Sequence, residues 1–249
     1  MKTALVTGVT SGFGLAICRT LIQAGYRVIG TGRRIERLKM LKDEFPDHFF
    51  PLAFDIRNAD ETIHALNNRP DCWKHVDLLV NNAGLALGLD AAYEADLDDW
   101  YQMIDTNIKG AVTITHLILP GMVERNTGHI INLGSIAGTY AYPGGNVYGG
   151  TKAFLKQFSL NLRADLIGTA IRVSNVEPGL CGDTEFSYVR FKGDKEKVSK
   201  LYENVEYLKP EDIAEIVLWL NQQPNHVNVN SIEIMPVSQS FSSLMVHKS

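Results

Sequence analysis

What most constrains the fold is a rhythm: short apolar runs alternate with longer helix-periodic segments from one end of the chain to the other. The runs are KTALVT (2–7), YRVIGTG (26–32), FFPLAFD (49–55), VDLLVNN (76–82), HIINLGS (129–135), AIRVSNVE (170–177) and NSIEIMPV (230–237). Helical stretches lie near 12–24, 34–44, 58–67, 97–125, 147–167 and 209–222. Such alternation predicts an α/β fold, a parallel sheet covered by helices on both faces. Runs that are apolar throughout suit strands buried on both sides. Pro51 is a mild objection to the third strand, because proline cannot donate to a central ladder. The longest stretch without an element is 179–208, and a loop of that length in a compact domain is usually functional or mobile.

A chain of 249 residues has room for one large domain or two small ones. It contains no linker, repeat or low-complexity segment, so residues 1–249 read as one domain of about seven strands with a substrate flap at about 179–208. The net charge of −4 gives no electrostatic reason to expect nucleic acid or an anionic membrane. No apolar run reaches the length of a membrane span, and MKTALVTG is too short in apolar residues for a signal peptide. Cys18, Cys72 and Cys181 are odd in number and far apart. They indicate neither a zinc site nor a disulfide framework and fit a cytoplasmic setting. The seven histidines are never spaced to share a helix face as metal ligands.

TGVTSGFG (7–14) follows the first strand and opens the first helix. Gly8, Gly12 and Gly14 allow a tight turn and close approach to a pyrophosphate. The free N–H groups and positive end of the helix favour that anion. The stretch therefore points to a Rossmann-type nucleotide site involving Gly8, Thr10, Ser11, Gly12, Phe13 and Gly14. In dinucleotide folds an acidic residue after strand two binds the adenosine ribose 2′-OH. Here that strand runs into Arg33 and Arg34, with no Asp or Glu between Gly14 and Glu36. A guanidinium grips a 2′-phosphate that a carboxylate repels, so the expected cofactor is NADP rather than NAD. Asp55, ending strand three, either accepts from the adenine amino group or caps the helix at 58–67.

NVYGGTKAF (146–154) sets Tyr148 four residues before Lys152. A helix places that spacing on one face in any protein, so the pair alone decides nothing. Tyr140 and Tyr142 have Gly144 and Asn146 at the matching positions.

The ordered set TGVTSGFG, NNAG (81–84), Asn107, Ser135, Tyr148-x-x-x-Lys152 and Pro178-Gly179 resembles the short-chain dehydrogenase/reductase family over essentially the whole chain. Phe13 stands where that family usually has isoleucine. NNAGLALG (81–88), LPGMVERNTGHIIN (119–132), GGNVYGGTKAF (144–154), QFSLNLRADL (157–166), EPGL (177–180), TEFSYVRFKGD (184–194) and MPVSQS (235–240) resemble one branch, the NADP-dependent 3-hydroxy acid dehydrogenases. These also act as serine/allo-threonine dehydrogenases and malonic semialdehyde reductases.

The resemblance implies Tyr148 as general acid/base and Lys152 as the group that lowers its pKa and holds the nicotinamide ribose. It implies Ser135 as donor to the substrate oxygen, and Asn107 as holder of a water that passes protons on from Lys152. A free tyrosine, with a pKa of about 10, is a poor base near neutrality, and a nearby ammonium favours its phenolate. Ala83 and Gly84 belong to the implied cofactor set, with Asn81 steadying the adenosine ribose side and the central sheet, or else serving a purely structural role through backbone bonds. Pro178 and Gly179 would lie beside the nicotinamide and Thr184 on its carboxamide. Ser135 and Asn107 also have purely structural readings, as a cap and as a polar kink in a helix.

In the flap, Arg190 is a candidate for the carboxylate of a small-molecule acid substrate, and Glu185 for the amine of a serine-like one. Two alternatives stay open: an NADPH-dependent reductase of neutral carbonyls or acyl-thioesters, and a non-catalytic NADPH-sensing binder. The intact Ser135/Tyr148/Lys152 set argues against the last. The family resemblance also implies a homotetramer built through the helices near 97–125 and 147–167. The tail at 238–249 either reaches a neighbouring subunit or frays.

Overall fold

A computed structural model describes residues 1–241. Each apolar run forms a strand: β1 Thr3–Thr7, β2 Arg27–Gly32, β3 Phe49–Ala53, β4 Leu78–Asn81, β5 Gly128–Leu133, β6 Ile171–Pro178 and β7 Ser231–Ile234. All seven join one sheet in the order β3-β2-β1-β4-β5-β6-β7, and every pairing is parallel. Pro51 causes no conflict, because β3 is an edge strand.

The helices are α1 Gly12–Gln23, α2 Ile35–Glu44, α3 Ala59–Asn67, α4 Leu97–Ile104, α5 Ala111–Glu124, α6 Asn146–Asp165, α7 Phe186–Arg190, α8 Lys195–Tyr202 and α9 Pro210–Gln222. Strand alternation divides the core in two. Ala4 and Val6 of β1 pack with Ile17 and Leu21 of α1, Leu38 of α2 and Val217 of α9. Leu5 faces the other way, onto Leu66 of α3, Ile114 and Ile118 of α5 and Leu162 of α6. Each fully buried valine, leucine or isoleucine among them contributes about 1.5–3 kcal/mol of transfer free energy.

Two features differ from the sequence reading. The helical stretch at 97–125 is α4 and α5 joined by a π-helical turn, Asp105–Gly110, which carries Asn107. The flap holds two short helices, α7 and α8. Its base is closed by a bridge between Cys181 and Leu208, with Leu208 N donating to Leu180 O at 3.1 Å and Gly182 N to Leu208 O at 3.0 Å. The tail runs back along its own chain. The Leu180 N–H donates to Gln239 Oε1 at 2.7 Å, and Phe241 lies against Tyr140 with ring centroids 4.9 Å apart. The rest of that tail lies outside the described residues. Among the described residues no helix is long and apolar enough to cross a membrane.

Candidate active site

The strand order reverses between β1 and β4, and open α/β sheets bind ligands beyond the carboxyl ends of their strands at such a point. A cleft of about 770 Å³ opens there. It is floored by the glycine turn at one end and by Tyr148 and the flap at the other.

At the glycine end, Gly8 has φ +74 and a Cβ there would lie 3.2 Å from Ala83 Cα, so only glycine lets the two loops meet. Gly14 does not line the cleft. A Cβ on it would sit 2.2 Å from the Gly8 carbonyl oxygen, so its absence lets α1 pack onto the β1 loop. Ser11 precedes α1 without capping it; its hydroxyl accepts from Arg34 Nη2 at 2.7 Å. The side chain leaves the first-turn N–H groups free to face an anion. Thr10, Gly12 and Phe13 line the same wall.

Arg33 and Arg34 both border the cleft. Arg34 is the more firmly held, with Nε and Nη2 on Thr10 Oγ1 at 3.0 and 2.9 Å. Arg33 is largely exposed and only 3.9 Å from Asp55. The sequence reading missed Arg37, one helical turn past Arg34, which donates to the Thr10 carbonyl at 2.9 Å. Asp55 lines the cleft but is chelated by Arg57, with Nη2 at 2.6 Å from Oδ2. Those bonds hold its carboxyl below the usual carboxylate range. It does not cap α3, because Asn58 does so by accepting from the Asp60 and Glu61 amides.

Asn81 is a correction. Its side chain points away from the cleft and donates to Thr115 Oγ1 at 2.9 Å and Asn132 Oδ1 at 2.8 Å. The neighbouring Asn82 lines the cleft instead, donating to the Thr7 carbonyl at 2.7 Å. Successive residues face opposite sides, so Asn81 braces the central sheet, and it is Asn82 that takes the cleft side expected of Asn81. Ala83 and Gly84 line the wall.

At the other end α6 buries both Tyr148 and Lys152, and Ser135 begins the short turn after β5. Burial pushes the Tyr148 phenol above its ordinary 10.0, while a hydrogen bond from Ser135 and the Arg190 charge pull it partly back. Burial also brings Lys152 down to about 8. The Lys152 ammonium lies 5.8 Å from the Tyr148 ring centroid and is not the main influence on it, unlike the lowering expected from the four-residue spacing.

Asn107 is deeply buried and does not line the cleft. Its Oδ1 accepts from Leu85 N at 2.9 Å, and its Nδ2 donates to Leu85 O at 2.9 Å and Thr151 Oγ1 at 3.0 Å. It still approaches Lys152: a Cβ on Gly84 would stand 3.3 Å from both Asn107 Oδ1 and Lys152 Nζ. Pro178, Gly179 and Thr184 border the space between the two ends.

Arg190, from α7, reaches over this end. Its guanidinium lies 5.5 Å from the ring centroids of both Tyr142 and Tyr148. Nη2 donates to Tyr142 Oη at 2.8 Å and Nε to Gly88 O at 3.3 Å. Tyr142, set aside in the sequence because Asn146 and not a lysine stands four residues on, steadies Arg190 instead. Glu185 is not at this end at all. It pairs with Arg34 at 2.6 Å and Arg37 at 2.8 Å, which removes it as a candidate for a substrate amine.

The model of the short chain dehydrogenase family matches residues 2–194. The "Probable NADP-dependent dehydrogenase" of Haemophilus influenzae is 70% identical over 99% of this chain and 98% of its own. The "NADP-dependent 3-hydroxy acid dehydrogenase YdfG" of Salmonella typhi is 57% identical over 98% and 99%. A solved structure, "The Closed form of serine dehydrogenase complexed with NADP+", superposes with a TM-score of 0.98 at 56% identity, covering 99% of this chain and 100% of that one. The chain is therefore a member of the short chain dehydrogenase family.

Proposed function

We propose that the protein is an NADP-dependent oxidoreductase that moves a hydride between the nicotinamide and a short 3-hydroxy acid or its semialdehyde. Serine, allo-threonine and 3-hydroxypropionate are the substrate types in view. The observation that carries this reading is the pairing of a buried Tyr148 with a fixed cation, Arg190, 5.5 Å from its ring. An acid substrate needs both a proton-handling group and a charge to hold its carboxylate.

The cleft's donor set fits NADP. Arg33 and Arg34 border it with Thr10 and Ser11, Arg37 backs them on the Thr10 carbonyl, and the crowding at Gly8 keeps a backbone cradle open. Gly12, Phe13, Ala83, Gly84, Asp55, Pro178, Gly179 and Thr184 complete the wall. When bound, NADP(H) supplies or accepts the hydride. Tyr148 takes the proton from the substrate hydroxyl in oxidation and returns it in reduction. Ser135 orients the substrate oxygen. Lys152 holds the ribose hydroxyls and keeps a positive charge beside the phenol, and Asn107 braces the turn around Lys152.

We read residues 1–249 as one NADP-binding catalytic domain with 179–208 as its flap. A homotetramer in the cytoplasm is the expected setting. Tyr101, Ile104 and Leu160 leave apolar surface exposed on α4 and α6, as such packing requires. Sedimentation velocity tests the assembly and cell fractionation the compartment.

The test of function is a matched absorbance assay at about 340 nm, the nicotinamide band. It pairs NADP⁺ with serine, 3-hydroxypropionate or 3-hydroxyisobutyrate and NADPH with malonic semialdehyde, beside NAD(H) and neutral carbonyls. Turnover of the acids with NADP(H) is expected. Preference for neutral carbonyls overturns the substrate class, and binding of NADPH without any turnover overturns the enzyme.

A further inference from the structure

α7 crosses the mouth of the cleft, and its two ends touch opposite ends of the site. Glu185, the residue just before it, bridges Arg34 at 2.6 Å and Arg37 at 2.8 Å. Phe186 lies against the Tyr148 ring at 5.8 Å. Arg190, the last residue of α7, bonds to Gly88 and Tyr142. Lys192, just beyond, pairs with Asp99 of α4 at 2.7 Å. A five-residue helix cannot hold its own position by local energetics, so these contacts decide where Arg190 stands.

We propose that Glu185 is a positioning residue: a latch that ties the flap to the adenosine-end arginines and so sets Arg190 and Phe186 over Tyr148. Its carboxylate touches neither end of the reaction. It acts through α7, whose start it fixes 151 residues from Arg34 in sequence. The latch is compatible with bound nucleotide. The backbone follows, at a TM-score of 0.98, a relative's closed form complexed with NADP⁺. Charge supports the same view. Arg33, Arg34, Arg37 and Arg57 carry four positive charges; Glu185 and Asp55 offset two, and a 2′-phosphate at about −1.5 to −2 offsets the remainder. This inference rests on the reading of the cleft as an NADP site.

The three charges of the latch are each about 40–45% exposed, so its effect is moderate and salt-sensitive. The experiment compares the unmodified chain with Glu185→Gln and Arg37→Met. Hydrogen exchange of the flap amides at 185–202 needs no ligand. It should speed up about threefold to fivefold in Glu185→Gln, less in Arg37→Met, which leaves the Arg34 pair in place, and no further in the double variant than in Glu185→Gln.

At saturating NADP⁺, the KM of Glu185→Gln for a 3-hydroxy acid should rise by the same factor while kcat stays within about twofold. Raising the salt concentration should raise KM in both chains, through the charged contact to the substrate, and more steeply in the unmodified chain than in Glu185→Gln. Unchanged flap exchange in both single variants overturns the latch. So does faster exchange with an unchanged KM, because the latch would then not position Arg190. Failure of the unmodified chain to bind NADP⁺ in a calorimetric titration overturns the cofactor reading itself, and is seen separately from either result.

Discussion

Lys152 donates a 2.8 Å hydrogen bond to the carbonyl of Leu133. The catalytic-helix lysine is thereby fastened to the end of β5, two residues before Ser135, and the two candidate proton-handling elements move as one. The same burial brings Lys152 down to about 8 and pushes Tyr148 up, because both shifts favour the neutral form. An ionised Tyr148 therefore depends on cations placed beside it, and Arg190 is one of them.

Tyr148→Phe should reduce turnover by at least about a thousandfold, within the range for loss of a general acid/base. NADPH binding, read by fluorescence titration, should stay within about threefold. The ring stays against Phe186 and only the hydroxyl is lost. Near-normal turnover would remove Tyr148 from the chemistry.

Arg33 and Arg34 should set the preference for NADP. Each charge-assisted contact to a 2′-phosphate is worth about 1.5–3 kcal/mol. Arg34→Ala should therefore raise the Kd for NADP⁺ about tenfold to a hundredfold while leaving that for NAD⁺ within about twofold. Arg33 is loosely held and should act in the same direction with a smaller effect. Equal weakening toward both nucleotides would mean that these side chains only support the fold.

The strands were legible because residues buried on both faces leave apolar runs, and β1 with Leu5 on one side and Ala4 and Val6 on the other is such a run. The flap helices were not. EFSYVR and KEKVSKLY are shorter than a self-sustaining helix, and their order comes from contacts such as Ser187 to Tyr202 and Tyr202 to the Cys181 carbonyl. Asn81 and Asn82 show a different limit. Which of two identical neighbours faces the cleft depends on where β4 stops, and a shift of one residue reverses the answer. The pairing of Glu185 with Arg34 and Arg37 joins distant segments and left no trace in local spacing.

His129 makes the acid limb of stability predictable. Its ring is buried between Asn221 Oδ1 at 3.1 Å and Ser174 Oγ at 2.9 Å. Burial, with the Arg172 charge, pushes it from 6.5 down to about 3. The folded form therefore keeps His129 neutral where the unfolded chain takes up a proton. Its contribution is fully present above about pH 6.5 and is lost as pH falls toward 3, at about 1.4 kcal/mol per unit. Between pH 7 and pH 5 this amounts to about 2 kcal/mol. Urea unfolding at the two pH values should show that difference, and His129→Gln should lessen it. An equal loss in the variant would place the acid sensitivity elsewhere.

Arg190 offers the sharpest test of the substrate class. Its bonds to Gly88 and Tyr142 use Nε and Nη2, so a carboxylate would meet the Nη1 edge of a guanidinium already fixed 5.5 Å from two ring centroids. Such preorganisation strengthens a charged contact because little side-chain freedom remains to be lost. Arg190→Met should raise the KM for a 3-hydroxy acid about tenfold to a hundredfold and leave that for a neutral alcohol of similar size within about twofold. Tyr142→Phe removes only the hydroxyl that steadies Nη2 and should raise the same KM about threefold. An unchanged KM for the acid in Arg190→Met would show that the carboxylate is held elsewhere, and Arg190 would then serve only to cover Tyr148.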